Sequence, residues 1–224
     1  MNELYFILHS CILALASLGA LKLGKEALIT FIAIQTVLAN LFVTKQIILC
    51  GLNATAADPF IIGSALSLNL LQEYFGKPSA LRAIVITFFV LACFGVFSYL
   101  HLLYYPSCYD TSQTHFEALL GITPRLVVAS FAVYLIVSYL DTRLYALLKK
   151  RLFSIPAAFR NGFCVAITQA VDTILFTLIG LSGILSSLIE LMIVSYGVKI
   201  LCIAIALPFI SLAKKIVPLP TTAQ

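Results

Sequence analysis

The chain has 224 residues, 62% of them hydrophobic and only 10% charged, with a formal net charge of +5 and a mean hydropathy of +1.08. Several apolar runs of roughly 20 residues suit about 30 Å of hydrocarbon, which excludes an ordinary soluble enzyme and predicts one integral membrane domain over the whole chain. The basic residues flank these runs and form no continuous polar face, so direct nucleic-acid binding is excluded too.

Periodicity and run length predict an all-α, polytopic transmembrane helix bundle, with helices near 3–21, 27–49, 59–75, 81–104, 124–148, 160–182 and 186–213. That is seven segments, or six where one does not span. The first run ends in the small residues of 14–20 but carries Glu3 where a secretory leader has positive charge, so it reads as a retained span. The second carries Asn40 within an apolar run. The third opens with Pro59 in its first turn and holds Ser64, Ser67, Asn69 and Gln72 before Glu73, which predicts a short, tilted or broken helix. The fifth has Arg125 at its start and Asp141 near its end. The sixth carries Thr168, Gln169, Asp172, Thr173 and Phe176, which recur at three or four residues and so form one stripe of a helix. The seventh starts near Glu190 and places Tyr196 and Lys199 on one face.

Loop charges predict orientation. Lys22, Lys25, Lys77, Arg82, Lys149, Lys150, Arg151, Arg160, Lys214 and Lys215 fall on one side of a seven-span chain, and Asp58, Asp110 and Glu117 on the other. The N-terminus is then outside and the C-terminus cytoplasmic, in a cell or inner membrane.

The six cysteines are scattered without a Cys-x-x-Cys pair, and the three histidines are isolated, so neither a disulfide framework nor a metal site is expected. Phosphate-loop, zinc-protease and serine-elbow motifs are all missing, and no nucleophile and base stand at recognisable spacing; no enzyme activity and no cofactor are expected. Asn53-Ala54-Thr55 matches a glycosylation sequon, a pattern common by chance.

What remains are polar residues inside apolar helices. A charge near the bilayer centre costs at least about 2.5–3.5 kcal/mol, so such residues either pair, hold a ligand, or do both. A helical rise of about 1.5 Å per residue puts Asp172, Lys199 and Asn40 each about 18–21 Å from the cytoplasmic boundary, in one plane near the midplane. Asn69 and Asp141 would form a second layer about 10 Å from the same boundary. Arg125 and Glu190 would sit near the outer mouth, as gates or as snorkelling charges. Gly180-x-x-Gly183 is too little to argue an interface, so a homo-oligomer stays open.

Several local patterns resemble the queuosine precursor transporters, also called the YhhQ or VUT family. They are Ala39-Asn40-Leu41; Leu70 to Gly76 with Gln72-Glu73-Tyr74; Pro124-Arg125 through Ala129-Ser130-Phe131 to Leu140-Asp141; Thr168-Gln169 with Val171-Asp172-Thr173; and Tyr196-Gly197-Val198-Lys199. They run in the family's order from about residue 35 to 210. Where the family commonly has an aspartate four residues before the acid, this chain has Asn69, which cannot carry a proton; Glu73 keeps the common form.

The resemblance implies a secondary transporter that imports 7-deazaguanine bases (preQ0, preQ1 or queuine) for tRNA modification. Asn40, Asn69, Glu73, Arg125, Asp141, Gln169, Asp172, Tyr196 and Lys199 are the expected substrate-binding residues. One carboxylate, Asp172 or Asp141, can accept the paired N1–H and exocyclic amine of such a base, while Gln169 and Asn40 supply amides. Phe131, Tyr134, Phe176 and Tyr196 are candidates to stack on it. A proton on Asp172, Asp141 or Glu73, or no coupling at all, are the energetic alternatives. The rival reading is a substrate-binding subunit of an energy-coupling-factor vitamin transporter, which borrows ATPases from partners.

Overall fold

The computed structural model describes residues 1–151 and 157–216, in the order α1 (Asn2–Leu23), α2 (Lys25–Phe42), β1 (Gln46–Leu49), β2 (Leu52–Thr55), α3 (Asp58–Leu102), α4 (Gln113–Leu120), α5 (Thr123–Arg151), α6 (Ala157–Phe176), a π-helical turn (Thr177–Leu181) and α7 (Leu188–Ile216). The side chains of Asp141, Lys77, Lys149, Lys150, Arg151, Arg160, Cys164, Cys202, Lys214 and Lys215 lie outside the described set. The helical bundle expected from the sequence is present. Four described stretches, Asn2–Leu23, Lys25–Phe42, Pro78–Leu102 and Gln113–Val137, are long and apolar enough to cross a membrane.

The expected second helix, 27–49, is too long. It ends at Phe42, and residues 46–55 form an antiparallel hairpin that pairs Gln46 with Thr55 and Leu49 with Leu52. Its two-residue turn, Cys50-Gly51, has φ of 50° and 82°. Positive φ at both turn positions is the twist that matches paired strands, and Gly51 takes it without strain. The apolar run Ile47-Ile48-Leu49 reads equally well as helix or strand, and β-branched residues followed by glycine decide for the strand. Asn2 Nδ2 donates to Ile48 O at 3.0 Å, and Glu190 accepts from the Asn53 backbone and side chain at 2.9 and 2.7 Å. The hairpin thus ties the start of α1 to the start of α7.

The expected third and fourth helices form α3, broken at Gly76, where φ is 79° and ψ 166°. That backbone region is open essentially to glycine alone, and Pro78 two residues later is pre-set to start the second half. Gly76→Ala is expected to destabilise the protein by about 1–3 kcal/mol. A thermal unfolding midpoint in detergent that does not fall would show that the break tolerates a side chain. Helix α4 was not among the expected elements.

Packing follows from the solvent. Lipid is as apolar as leucine, so helices associate through close packing and interhelical hydrogen bonds, not by hiding apolar surface. Large side chains such as Val85, Phe89, Val128 and Phe131 accordingly remain exposed. Inside, Leu18, Leu28, Ile32, Leu70, Tyr74 and Ala83 join α1, α2 and both halves of α3 in one cluster. Beside it lies a polar spine: the hydroxyls of Ser17 and Ser67 are 2.8 Å apart, and Gln35 Nε2 donates to Ser67 at 3.2 Å. All three residues are fully buried.

Candidate functional site

Thr36, Ala39 and Asn40 recur at three and four residues on α2, so they face one direction. That direction is a cavity of about 390 Å³, within the ~300–1,000 Å³ typical of small-molecule sites. Ile61 and Ser64 of α3 close one wall, Ser130 and Tyr134 of α5 another, and Gln169, Asp172 and Phe176 of α6 a third. Lys199 of α7 enters from the side. A second cavity of about 190 Å³ shares Ile61, Gln169 and Lys199 with the first and adds Asn69.

The charged centre is an ion pair in which Lys199 Nζ donates to Asp172 Oδ2. The side chains are 15% and 30% exposed, so the pair is neither sealed nor lipid-facing: it forms part of the cavity wall. Asn40 adds a directional group. Its Nδ2 donates to Thr36 O at 2.9 Å, while Oδ1 is buried without a hydrogen-bond partner among the described residues. A buried acceptor left open is costly, typically about 1–3 kcal/mol, unless something fills it. Aromatic faces complete the lining: Phe88 and Tyr134 pack with ring centroids 4.8 Å apart, and Phe176 stands on α6 one helical turn beyond Asp172.

Of the sequence-derived candidates, Asn40, Gln169, Asp172 and Lys199 share the larger cavity, and Asn69 joins Gln169 and Lys199 in the smaller one. Four others lie elsewhere. Arg125 is exposed and donates to Ile179 O at 2.9 and 3.0 Å and to Ser182 O at 2.8 Å. It satisfies carbonyls left open where the π-helical turn ends, which accounts for a cation at this place without a ligand. Tyr196 donates to Ala166 O at 3.3 Å, a strut between α7 and α6. Glu73 is exposed near the break in α3, Glu190 holds the hairpin, and the Asp141 side chain lies outside the described residues. Among the stacking candidates, Tyr134 and Phe176 line the cavity, whereas Phe131 faces an apolar groove on the outer surface of α3 and α5.

Two residues were not singled out as binding candidates. Phe88 lies in a largely apolar run, where nothing in the sequence separates it from Phe89, which faces outward. Asp58 reads from sequence as a loop anion, yet it is 0% exposed, and Ser195 Oγ donates to its Oδ1 at 3.1 Å. Its position before Pro59 marked only a helix start.

The comparisons with known proteins agree with one another. A family described as "Putative vitamin uptake transporter" matches residues 55–213, the stretch that holds Asp58, Gln169, Asp172 and Lys199. A protein of Bacillus subtilis (strain 168) named "Probable queuosine precursor transporter" is 30% identical over 218 residues, covering 96% of this chain and 93% of that protein. No solved structure matches the chain. With most of its length inside the matched region, this multi-pass membrane protein belongs to that vitamin uptake transporter family.

Proposed function

We propose that the chain imports queuosine precursors, 7-deazaguanine bases, by alternating access around the larger cavity, with its N-terminus outside and its C-terminus cytoplasmic. The observation that carries this reading is the Lys199–Asp172 pair set in the cavity wall beside the open Oδ1 of Asn40. A 7-deazaguanine presents N1–H and an exocyclic amine as adjacent donors, and one carboxylate accepts both. Asp172 meets them when Lys199 shifts aside; Asn40 Oδ1 accepts a pyrrole N–H, and the Gln169 amide donates to O6. Tyr134, Phe88 and Phe176 supply faces on which a flat base stacks. Lys199 holds the Asp172 carboxylate in place while the site is empty. Nothing in this scheme makes or breaks a covalent bond in the substrate.

The test is uptake of labelled preQ0, preQ1 and queuine into cells lacking their own route, with and without this protein, followed by the purified chain in liposomes. At least one base should enter, and Asp172→Asn should abolish entry. Failure with all three bases overturns the substrate assignment. Binding without transport by the purified chain points to the energy-coupling-factor arrangement instead.

A further inference from the structure

Asp58 is a fully buried carboxylate that the cavity does not use. Its neighbours Ala57 and Ile61 line the cavity, so its own side chain lies behind that wall. Ser195 Oγ holds Oδ1 at 3.1 Å, Thr55 of β2 lies beside the carboxyl group, and Oδ2 is buried without a hydrogen-bond partner among the described residues. Ser195 and Lys199 are four residues apart on α7, one turn of the same face. Lys199 is therefore within electrostatic range of Asp58 while bonded to Asp172. One ammonium thus acts electrostatically on two carboxyl groups.

We propose that Asp58 is the proton-binding residue of the transport cycle, taking one proton on Oδ2 from the outside and releasing it inside as the base crosses. With both carboxylates ionised, the group Asp58, Asp172 and Lys199 carries a net charge of −1 in a medium that penalises uncompensated charge. One proton on Asp58 makes it neutral, and the neutral group is the form that reorients with its cargo. The Oδ2–H bond forms on the outward-facing protein and breaks on the inward-facing one, so one proton accompanies each neutral base. Other titratable groups on the elements around Asp58 include Glu190 of α7, already bound to Asn53; Tyr196 of α7, donating to Ala166 O; Glu3 of α1, accepting from Cys50 N; His9 of α1, edge-on to Phe60 at 4.7 Å; and Lys45 ahead of the hairpin. None of these is hydrogen-bonded to the Asp58 carboxylate.

This inference rests on the transport reading, and the experiment separates the two. Purified full-length protein in liposomes is tested with labelled preQ0, whose nitrile leaves it uncharged, for exchange at equal pH and for accumulation under an acid-outside gradient. Wild type should exchange and should accumulate several-fold above equilibrium. Asp58→Asn, which mimics the protonated form, should keep exchange and lose accumulation. Ser195→Ala removes a donor that stabilises the ionised carboxylate, so its accumulation should persist to higher external pH. A readout without substrate is the infrared carbonyl band of a protonated carboxyl, which should appear on acidification in wild type and be absent in Asp58→Asn. Accumulation by Asp58→Asn at the wild-type level, loss of exchange in that variant while folded, or an unchanged infrared band would overturn the proposal. No exchange by wild type counts against the transport reading alone.

Discussion

Lys199→Ala is expected to have the largest effect of any single substitution in the membrane core. It leaves the Asp172 carboxylate without its partner, and an uncompensated charge at that depth costs about 2.5–3.5 kcal/mol. The thermal midpoint in detergent should fall clearly, and base uptake should disappear. Taken alone, that result does not separate a structural pair from a ligand site, because loss of fold also stops transport. The double variant Lys199→Met with Asp172→Asn makes the distinction. Removing both charges of a buried pair is often neutral or stabilising, so the double variant should regain most of the lost midpoint. Uptake should stay abolished, since an amide in place of the carboxylate cannot accept two donors from the base. Wild-type uptake by a stable double variant would reduce the pair to a fastener of α6 and α7.

Gly63→Ala should come close to that in its effect on stability. A Cβ at this position would lie 2.0 Å from Gln35 Oε1 and 3.0 Å from Leu13 Cβ, one on α2 and the other on α1. Gln35 is fully buried, so its amide has no empty space into which to rotate without losing the bond from Nε2 to Ser67. Overpacking of about 1–3 kcal/mol adds to the loss of that buried hydrogen bond, giving about 2–4 kcal/mol together. Combining Gly63→Ala with Gln35→Ala removes the closer obstacle and should recover part of the loss. An unchanged midpoint in Gly63→Ala would mean that α1, α2 and α3 are not held as tightly as the Ser17–Ser67–Gln35 spine implies.

The candidate site was partly legible before the fold was seen, for an energetic reason. Charges are rare in hydrocarbon, so Asp172 and Lys199 stand out, and a fixed helical rise converts their positions into matching depths. Their pairing in the structure follows that arithmetic. The same logic failed at helix ends. Asp58, Arg125 and Glu190 all stand near the ends of apolar runs, where a charge reaches water at little cost, and sequence position does not tell a solvated charge from an engaged one. The structure separates them: Asp58 is sealed behind the cavity, Arg125 caps the π-helical turn, and Glu190 holds the hairpin. The aromatic residues were illegible for a different reason. With 16 Phe and 10 Tyr in the chain, composition alone does not choose Phe88 over its neighbour.

By itself, then, the sequence determined the apolar surroundings, the helical architecture and the two rare charges that pair within it, because hydrocarbon imposes length, hydrogen-bond closure and charge scarcity on every spanning segment. Only the tertiary structure decided which face of each helix meets the cavity and which boundary charges are buried. Those outcomes depend on side chains from distant segments meeting in space. Asp58 and Ser195 are brought together by the packing of α3 against α7, a relation that no local pattern in the chain encodes.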